Sequence, residues 1–168
     1  MDLSIFDVVG PVMIGPSSSH TAGAARLAFV ARQIAGEFTR VSFGLHGSFA
    51  RTYRGHGTDR ALVAGALGLS PQDERLRTSF DIAKERGLQY DFYLTELPDA
   101  HENSVKMTFT HPDGSTLDVV GASLGGGRIL ITRIGEYAAE ITADAPTLVI
   151  AHQDKRGMVS TVTHILAS

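Results

Sequence analysis

Apolar positions along the chain switch between two periods, and each switch marks an element. Leu27, Val30, Ala31, Ile34 and Ala35 recur at helical spacing, with Arg26, Arg32 and Gln33 away from the stripe and Gly36 placed to end the helix. Val41, Phe43 and Leu45 then alternate as a strand leading into His46-Gly47. Residues 59–67 are apolar nearly all round, the mark of a helix buried between other elements or against a partner. Ser70-Pro71-Gln72-Asp73 carries the signature of a third helix, with Ser as N-cap, Pro at the first helical position and an acid three residues on. Leu76, Phe80 and Ala83 give it an inner face, and Gly87 suits a C-terminal cap.

Beyond Gly87 the period is mostly two. Residues 90–94 read as a short strand. Val105, Met107 and Phe109 alternate, His111-Pro112-Asp113-Gly114 turns the chain, and Leu117 and Val119 alternate back, which is a β-hairpin. Ser123-Leu124-Gly125-Gly126-Gly127 leads to a further strand at 128–134. The order of helix, strand, two helices and then several strands is α+β rather than a strict βαβ alternation. Ala143-Asp144-Ala145-Pro146 reads as a linker at 143–146, separating residues 1–142 from a short segment, 147–168. There, residues 147–151 read as an apolar strand, and Arg156-Gly157-Met158 opens an amphipathic helix with Val159, Val162 and Leu166. One strand and one helix do not make a stable domain by themselves. The segment is therefore expected to be covered by another chain, or to be the start of something longer.

Composition narrows the class. With 168 residues, 43% hydrophobic and 20% charged, the chain can bury a core without staples and is not a disordered polymer. A net charge of −3 with scattered arginines argues against a nucleic-acid surface. Cysteine is absent, so no disulfide, thiolate nucleophile, zinc-thiolate site or cysteine-ligated iron–sulfur cluster can be built from this chain alone. The first residues lack the basic start of a signal peptide, and the uncharged span 8–25 is broken by prolines, glycine, serines and a histidine. A bilayer crossing needs about 20 mostly apolar residues. The expectation is a soluble, cytoplasmic protein with no membrane partner.

Four polar clusters could carry chemistry. Gly15-Pro16-Ser17-Ser18-Ser19-His20-Thr21 stands just before the first helix, where free N–H groups and hydroxyls suit an anion. A helix cap needs one Ser; three serines with His and Thr exceed that need. Gly55-His56-Gly57-Thr58-Asp59 precedes the buried helix. Thr58 or Asp59 could simply cap it, whereas the flanking glycines leave the imidazole accessible as a general base. His101-Glu102-Asn103 precedes the hairpin and is either a solvated turn or a site. Gly125-Gly126-Gly127 can form an anion-holding nest or mark a tight bend. There is no phosphate-binding Gly-Lys-Ser/Thr loop, no complete dinucleotide fingerprint and no zinc-protease His pair. His46, His111, His152 and His164 are more economically structural or solvent-facing. The residues alone reach an anion-binding α+β domain with candidate acid–base histidines.

With these motifs in view, the chain resembles a known family. Ser4-Ile5-Phe6-Asp7, the Gly15–Thr21 cluster, Gly47-Ser48, the Gly55–Asp59 cluster and Ser123–Gly127 are similar, in the same order, to the β chain of iron–sulfur-dependent L-serine dehydratase. Residues 147–168 resemble the opening strand and helix of an ACT domain, a module of βαββαβ order. The resemblance implies a fold like the allosteric substrate-binding domain of some phosphoglycerate dehydrogenases, with a mixed or antiparallel sheet and packed helices. It implies an L-serine ammonia-lyase, forming pyruvate and ammonia. The [4Fe–4S] cluster would be ligated by cysteines of a separate alpha chain and by no residue of this one. The chain alone would then be inactive, with homo-oligomer contacts expected besides the alpha chain. His56 is implied as the base or its immediate relay, with Asp59 orienting it. Ser17, Ser18, Ser19, His20 and Thr21 match the substrate pocket, with His101, Asn103, Gly125 and Gly126 as further candidates; Glu102 stands where the family tends to have proline. The competing reading is a non-catalytic module that binds an amino acid or other small anion.

Overall fold

The computed structural model describes residues 15–168, so the Ser4–Asp7 motif lies outside the described residues. Helix α1 (Ala24–Ala35) follows a π-helical segment, Ser18–Gly23, and ends where Gly36 takes a positive φ of 75°. Strand β1 (Arg40–Leu45) leads into a short helix α2 (Gly47–Thr52) and the buried helix α3 (Thr58–Ala66). Helix α4 (Ser79–Glu85) and strand β2 (Gln89–Leu94) complete the crossover that lets β1 and β2 pair in parallel. Strands β3 (Ser104–Thr110), β4 (Thr116–Gly125), β5 (Arg128–Ile134) and β6 (Tyr137–Ile141) then run as an antiparallel meander. The sheet order is β2-β1-β3-β4-β5-β6, so the fold is α+β with a mixed six-stranded sheet.

Alternation decides which face is covered. Val41, Phe43 and Leu45 lie opposite Phe109, Met107 and Val105, and all six are buried against the helices. The opposite face carries a polar row. Ser42 donates to Asp91 at 2.7 Å, Thr108 donates to Asp118 at 2.6 Å, and Lys106 pairs with Asp118 at 2.9 Å. Helices α1 and α3 pack closely because Ala25, Ala28 and Gly65 meet at their contact.

The structure amends three sequence expectations. The third helix opens later than Ser70-Pro71 suggests: Asp73 is the cap, accepting from the Arg75 N–H at 3.0 Å, and a 3₁₀ turn, Glu74–Thr78, precedes α4. Ser70 instead closes a turn whose carbonyl receives the Asp73 N–H. Helix α2 and strand β6 are additions, too short and too polar to show a period. Residues 147–151 belong to no strand, because no neighbouring strand lies alongside to supply a hydrogen-bonded ladder. The amphipathic helix that follows is present as α5 (Met158–Leu166). Among the described residues no helix is long and apolar enough to cross a membrane.

Candidate active site

The topology gathers the four clusters at one end of the sheet. Leu45, the last residue of β1, pairs with Val105 near the start of β3, and Ser104 pairs with Ala122 near the end of β4. Residues 46–48, 101–103 and 125–127 therefore leave the sheet on the same side. The π-helical segment packs against β4 and α3 at that end. A π-helical turn displaces side chains from regular helical spacing and recurs at functional sites.

His20 is the hub. Its ring is held at both nitrogens: Nδ1 lies 3.0 Å from Ser19 Oγ, and Nε2 lies 3.1 Å from Ser48 Oγ. The Phe49 ring meets it edge-on at 5.3 Å. Burial, with the nearby His56 adding to it, holds the His20 pKa below its ordinary value. Ser17 does the work of a cap, its oxygen accepting from the His20 N–H at 3.1 Å. Ser18 sits half-buried in the same segment. Thr21, almost fully buried, donates its hydroxyl to the His56 carbonyl at 3.0 Å and so ties the two motifs together.

His56 is exposed, with its ring centroid 5.0 Å from that of His20. Its Nδ1 lies 3.3 Å from the Thr52 carbonyl oxygen. A carbonyl only accepts, so Nδ1 carries the hydrogen and the neutral ring leaves its lone pair on Nε2. The other histidines at this end differ. His46 Nδ1 accepts from the Leu97 N–H at 3.2 Å, and His101 Nδ1 accepts from the Asn103 N–H at 3.1 Å. In both neutral rings the remaining nitrogen is an N–H donor.

Asp59 stands apart from His56. Its Oδ1 accepts from the Arg60 N–H at 2.8 Å, and burial raises its pKa against the pull of Arg60 and Arg54. Among the described residues no hydrogen bond or ion pair joins Asp59 to His56; the Thr52 carbonyl orients the ring instead. The His101–Asn103 loop does reach the hub. The Glu102 carbonyl accepts from the Ser48 N–H at 2.7 Å, and Asn103 Oδ1 is buried without a partner. Gly47, at φ 55°, lies so close to the Glu102 backbone that a side chain there would collide with it. Gly125, Gly126 and Gly127 all take positive φ in a tight bend. Gly126 and Gly127 line a separate cavity of about 1070 Å³ between α1 and residues 143–151, where Arg26 donates to the Gly127 carbonyl at 3.1 Å.

A groove of about 690 Å³ opens beside His56, walled by Gly15, Thr21, Arg54, Arg60 and Arg77. Neither Ser48 nor these arginines stands out as site chemistry from sequence spacing. Arg54, next to Gly55-His56, had a local signal; Arg77 is placed there only by the 3₁₀ turn. The lining is cationic and suits a small anion.

Comparison with known proteins gives the family. A family model described as serine dehydratase beta chain matches residues 4–90, which hold both the Gly15–Thr21 and the Gly55–Asp59 clusters. The chain belongs to the serine dehydratase beta chain family. The L-serine dehydratase beta chain of Peptoniphilus asaccharolyticus is 48% identical over 167 residues, covering 98% of this chain and 75% of the relative. A probable L-serine dehydratase beta chain of Bacillus subtilis (strain 168) is 42% identical over 98% of this chain and 74% of its own length. L-serine dehydratase 1 of Escherichia coli (strain K12) is 30% identical over 76% of this chain and 33% of its own, longer sequence. Iron–sulfur dependence is general in the serine dehydratase family, yet this chain does not fit as a cluster ligand set. It has no cysteine, and its described residues hold no group of three or more His, Asp or Glu able to bind a metal ion.

Proposed function

We propose that this chain supplies the proton-transfer half of an L-serine dehydratase, a lyase that converts L-serine to pyruvate and ammonia. The observation that carries the reading is the pairing of His56, whose lone pair is on its outward Nε2, with His20, whose ring is bound at both nitrogens. His56 Nε2 takes the α-proton of serine. The β-carbon–oxygen bond breaks as the proton taken by His56 is returned to the departing hydroxyl, which leaves as water. The aminoacrylate left behind tautomerises to the imine, and water hydrolyses it to pyruvate and ammonia. His20, kept neutral by burial, adds no repulsion when His56 becomes an imidazolium.

The serine carboxylate is drawn by the cationic groove and held at the helix start by the segment carrying Ser17, Ser18 and Ser19, with Thr21, bound to the His56 carbonyl, shaping that segment from behind. His101 and Asn103 complete the polar wall, and Gly125 and Gly126 shape the bend behind it. Asp59 sets the field around Arg54 and Arg60 rather than the His56 ring. In this reading an alpha chain would provide the cysteines for a [4Fe–4S] cluster, and the chemistry such a cluster would supply is Lewis acidity toward the leaving hydroxyl. Residues 1–142 form the serine dehydratase domain, related in fold to the allosteric substrate-binding domain of phosphoglycerate dehydrogenases. Residues 143–146 are the linker, residues 147–168 open an ACT-like module, and the complex is cytoplasmic.

An anaerobic pyruvate-release assay tests this with the chain alone, the cysteine-bearing partner alone, and both reconstituted with iron and sulfide. Turnover confined to the mixture is expected, and His56→Ala lowers kcat about 10²–10⁴-fold. Equal activity from the partner alone makes this chain a regulatory module. Unchanged turnover in the His56→Ala mixture removes His56 as the base.

A further inference from the structure

Ser48 is 28 residues from His20 in sequence, and three constraints bring its hydroxyl to the ring. Its N–H is pinned to the Glu102 carbonyl at 2.7 Å, its own carbonyl accepts the Thr52 hydroxyl at 2.8 Å, and its Oγ lies 3.1 Å from His20 Nε2. The backbone has little room to shift, because the neighbouring Gly47 is pressed against the Glu102 backbone.

The hydroxyls on the other side of the ring give the bonds a direction. Ser17 Oγ already accepts the His20 backbone N–H, so it is better placed to donate onward, and Ser19 Oγ lies 3.3 Å away. With Ser17 donating to it, Ser19 gives its own hydrogen to His20 Nδ1 across 3.0 Å. With Nδ1 accepting, the neutral ring carries its hydrogen on Nε2 and gives it to Ser48. With Ser17 as the first donor, the hydrogen bonds run one way, from Ser17 through Ser19 and His20 to Ser48. Removing the terminal acceptor leaves a half-buried Nε2–H without its partner, and the ring can then flip tautomer or rotate.

We propose that Ser48 is a positioning residue that locks His20 as its Nε2–H tautomer and fixes the plane of the ring beside His56. The inference rests on the reading of His56 as the base, since a fixed His20 ring is what faces the proton that His56 takes up. The depressed His20 pKa agrees with a ring that stays neutral.

Two measurements test it together. The first is the ¹⁵N spectrum of the full chain with labelled histidine, the His20 signals identified by their loss in His20→Gln. The wild-type chain is expected to show one hydrogen-bearing and one bare nitrogen. In Ser48→Ala the two signals move towards each other as tautomers mix, and Ser48→Thr, which keeps the hydroxyl, restores them. The second is turnover of the reconstituted enzyme, where Ser48→Ala lowers kcat about 10²-fold with KM within about 2-fold, and Ser48→Thr recovers most of it. His20 signals unchanged in Ser48→Ala overturn the proposal, as does a mixed tautomer with unchanged kcat. Should Ser48→Ala lose its fold by circular dichroism, Ser48→Cys, which keeps the size but weakens the hydrogen bond, takes its place with the same readings expected. If His56→Ala retains turnover, the base reading fails, while the ¹⁵N spectra still report whether Ser48 holds His20.

Discussion

Helices α3 and α5 have nine residues each, and both are rich in apolar side chains, yet their surroundings are opposite. Seven residues of α3 are buried, whereas none of α5 is, and Val159, Ile165 and Leu166 in α5 are all more than 60% exposed. The difference does not come from hydrophobicity. Helix α3 has apolar residues on every side and small ones where it meets α1, so it fits between α1 and the 3₁₀–α4 region. Helix α5 has a single apolar stripe and no element of the described chain to receive it. Burial therefore follows from having a partner at the right distance, and of these two helices α3 has one among the described residues. The candidate site grows from that packing, since α3 begins beside His56 and α1 continues from the segment that carries His20.

The sharpest way to break the comparison is a matched pair of truncations. Leu62→Ala, at a fully buried position of α3, is expected to cost about 2–5 kcal/mol by urea unfolding. A value under about 1 kcal/mol would show that α3 is not packed as tightly as its burial implies. Gly65→Ala comes next, and its sign is diagnostic. In an exposed helix the change stabilises by about 1 kcal/mol. Here the new methyl lands on the Ala25 carbonyl and near the Phe29 amide, so a loss of about 1–3 kcal/mol is expected.

A third test uses pH. His20 in the folded chain has a pKa below its ordinary 6.5, so between the two values the unfolded chain binds more protons. Stability should fall as pH drops from above 6.5 towards the depressed value, and the loss should stop below it. His20→Gln should flatten that slope in urea midpoints measured on either side of 6.5; an unchanged slope assigns it to other groups. The smallest effect completes the pair: Leu166→Ala in α5 should move stability by no more than about 0.5 kcal/mol in the isolated chain. A larger loss would mean that the α5 stripe is covered in solution.

Much of this was legible in the residues. Helix α1, β1, the hairpin of β3 and β4, and β5 were legible because each carries apolar residues repeating at its own period, and those residues face the core. Strand β6 and helix α2 were not, since five or six residues with mixed polarity complete no period. The start of the third helix misled because Ser-Pro can begin a turn as well as a helix, and the Asp73 side chain was the stronger cap. At the candidate site, His20 and His56 stand out in the sequence because glycines and hydroxyls surround them in greater number than a single cap needs. The role of Ser48, the separation of Asp59 from His56 and the arginine wall of the groove do not.

The sequence by itself determined the residue types available: histidines without cysteines, hydroxyls before a helix, and alternation enough for a sheet with one covered face. Those follow from side-chain chemistry and local period, which act over a few residues. Only the tertiary structure decided which of these residues meet. The antiparallel register of β1, β3 and β4 brings loops more than 50 residues apart to one edge, and there the Ser48 hydroxyl, 28 residues away in sequence, meets His20 Nε2. Part of each ring's setting is local, with the Thr52 carbonyl four residues before His56 and Ser19 next to His20, but the contact at His20 Nε2 is made across the fold and is absent from any local stretch of chain.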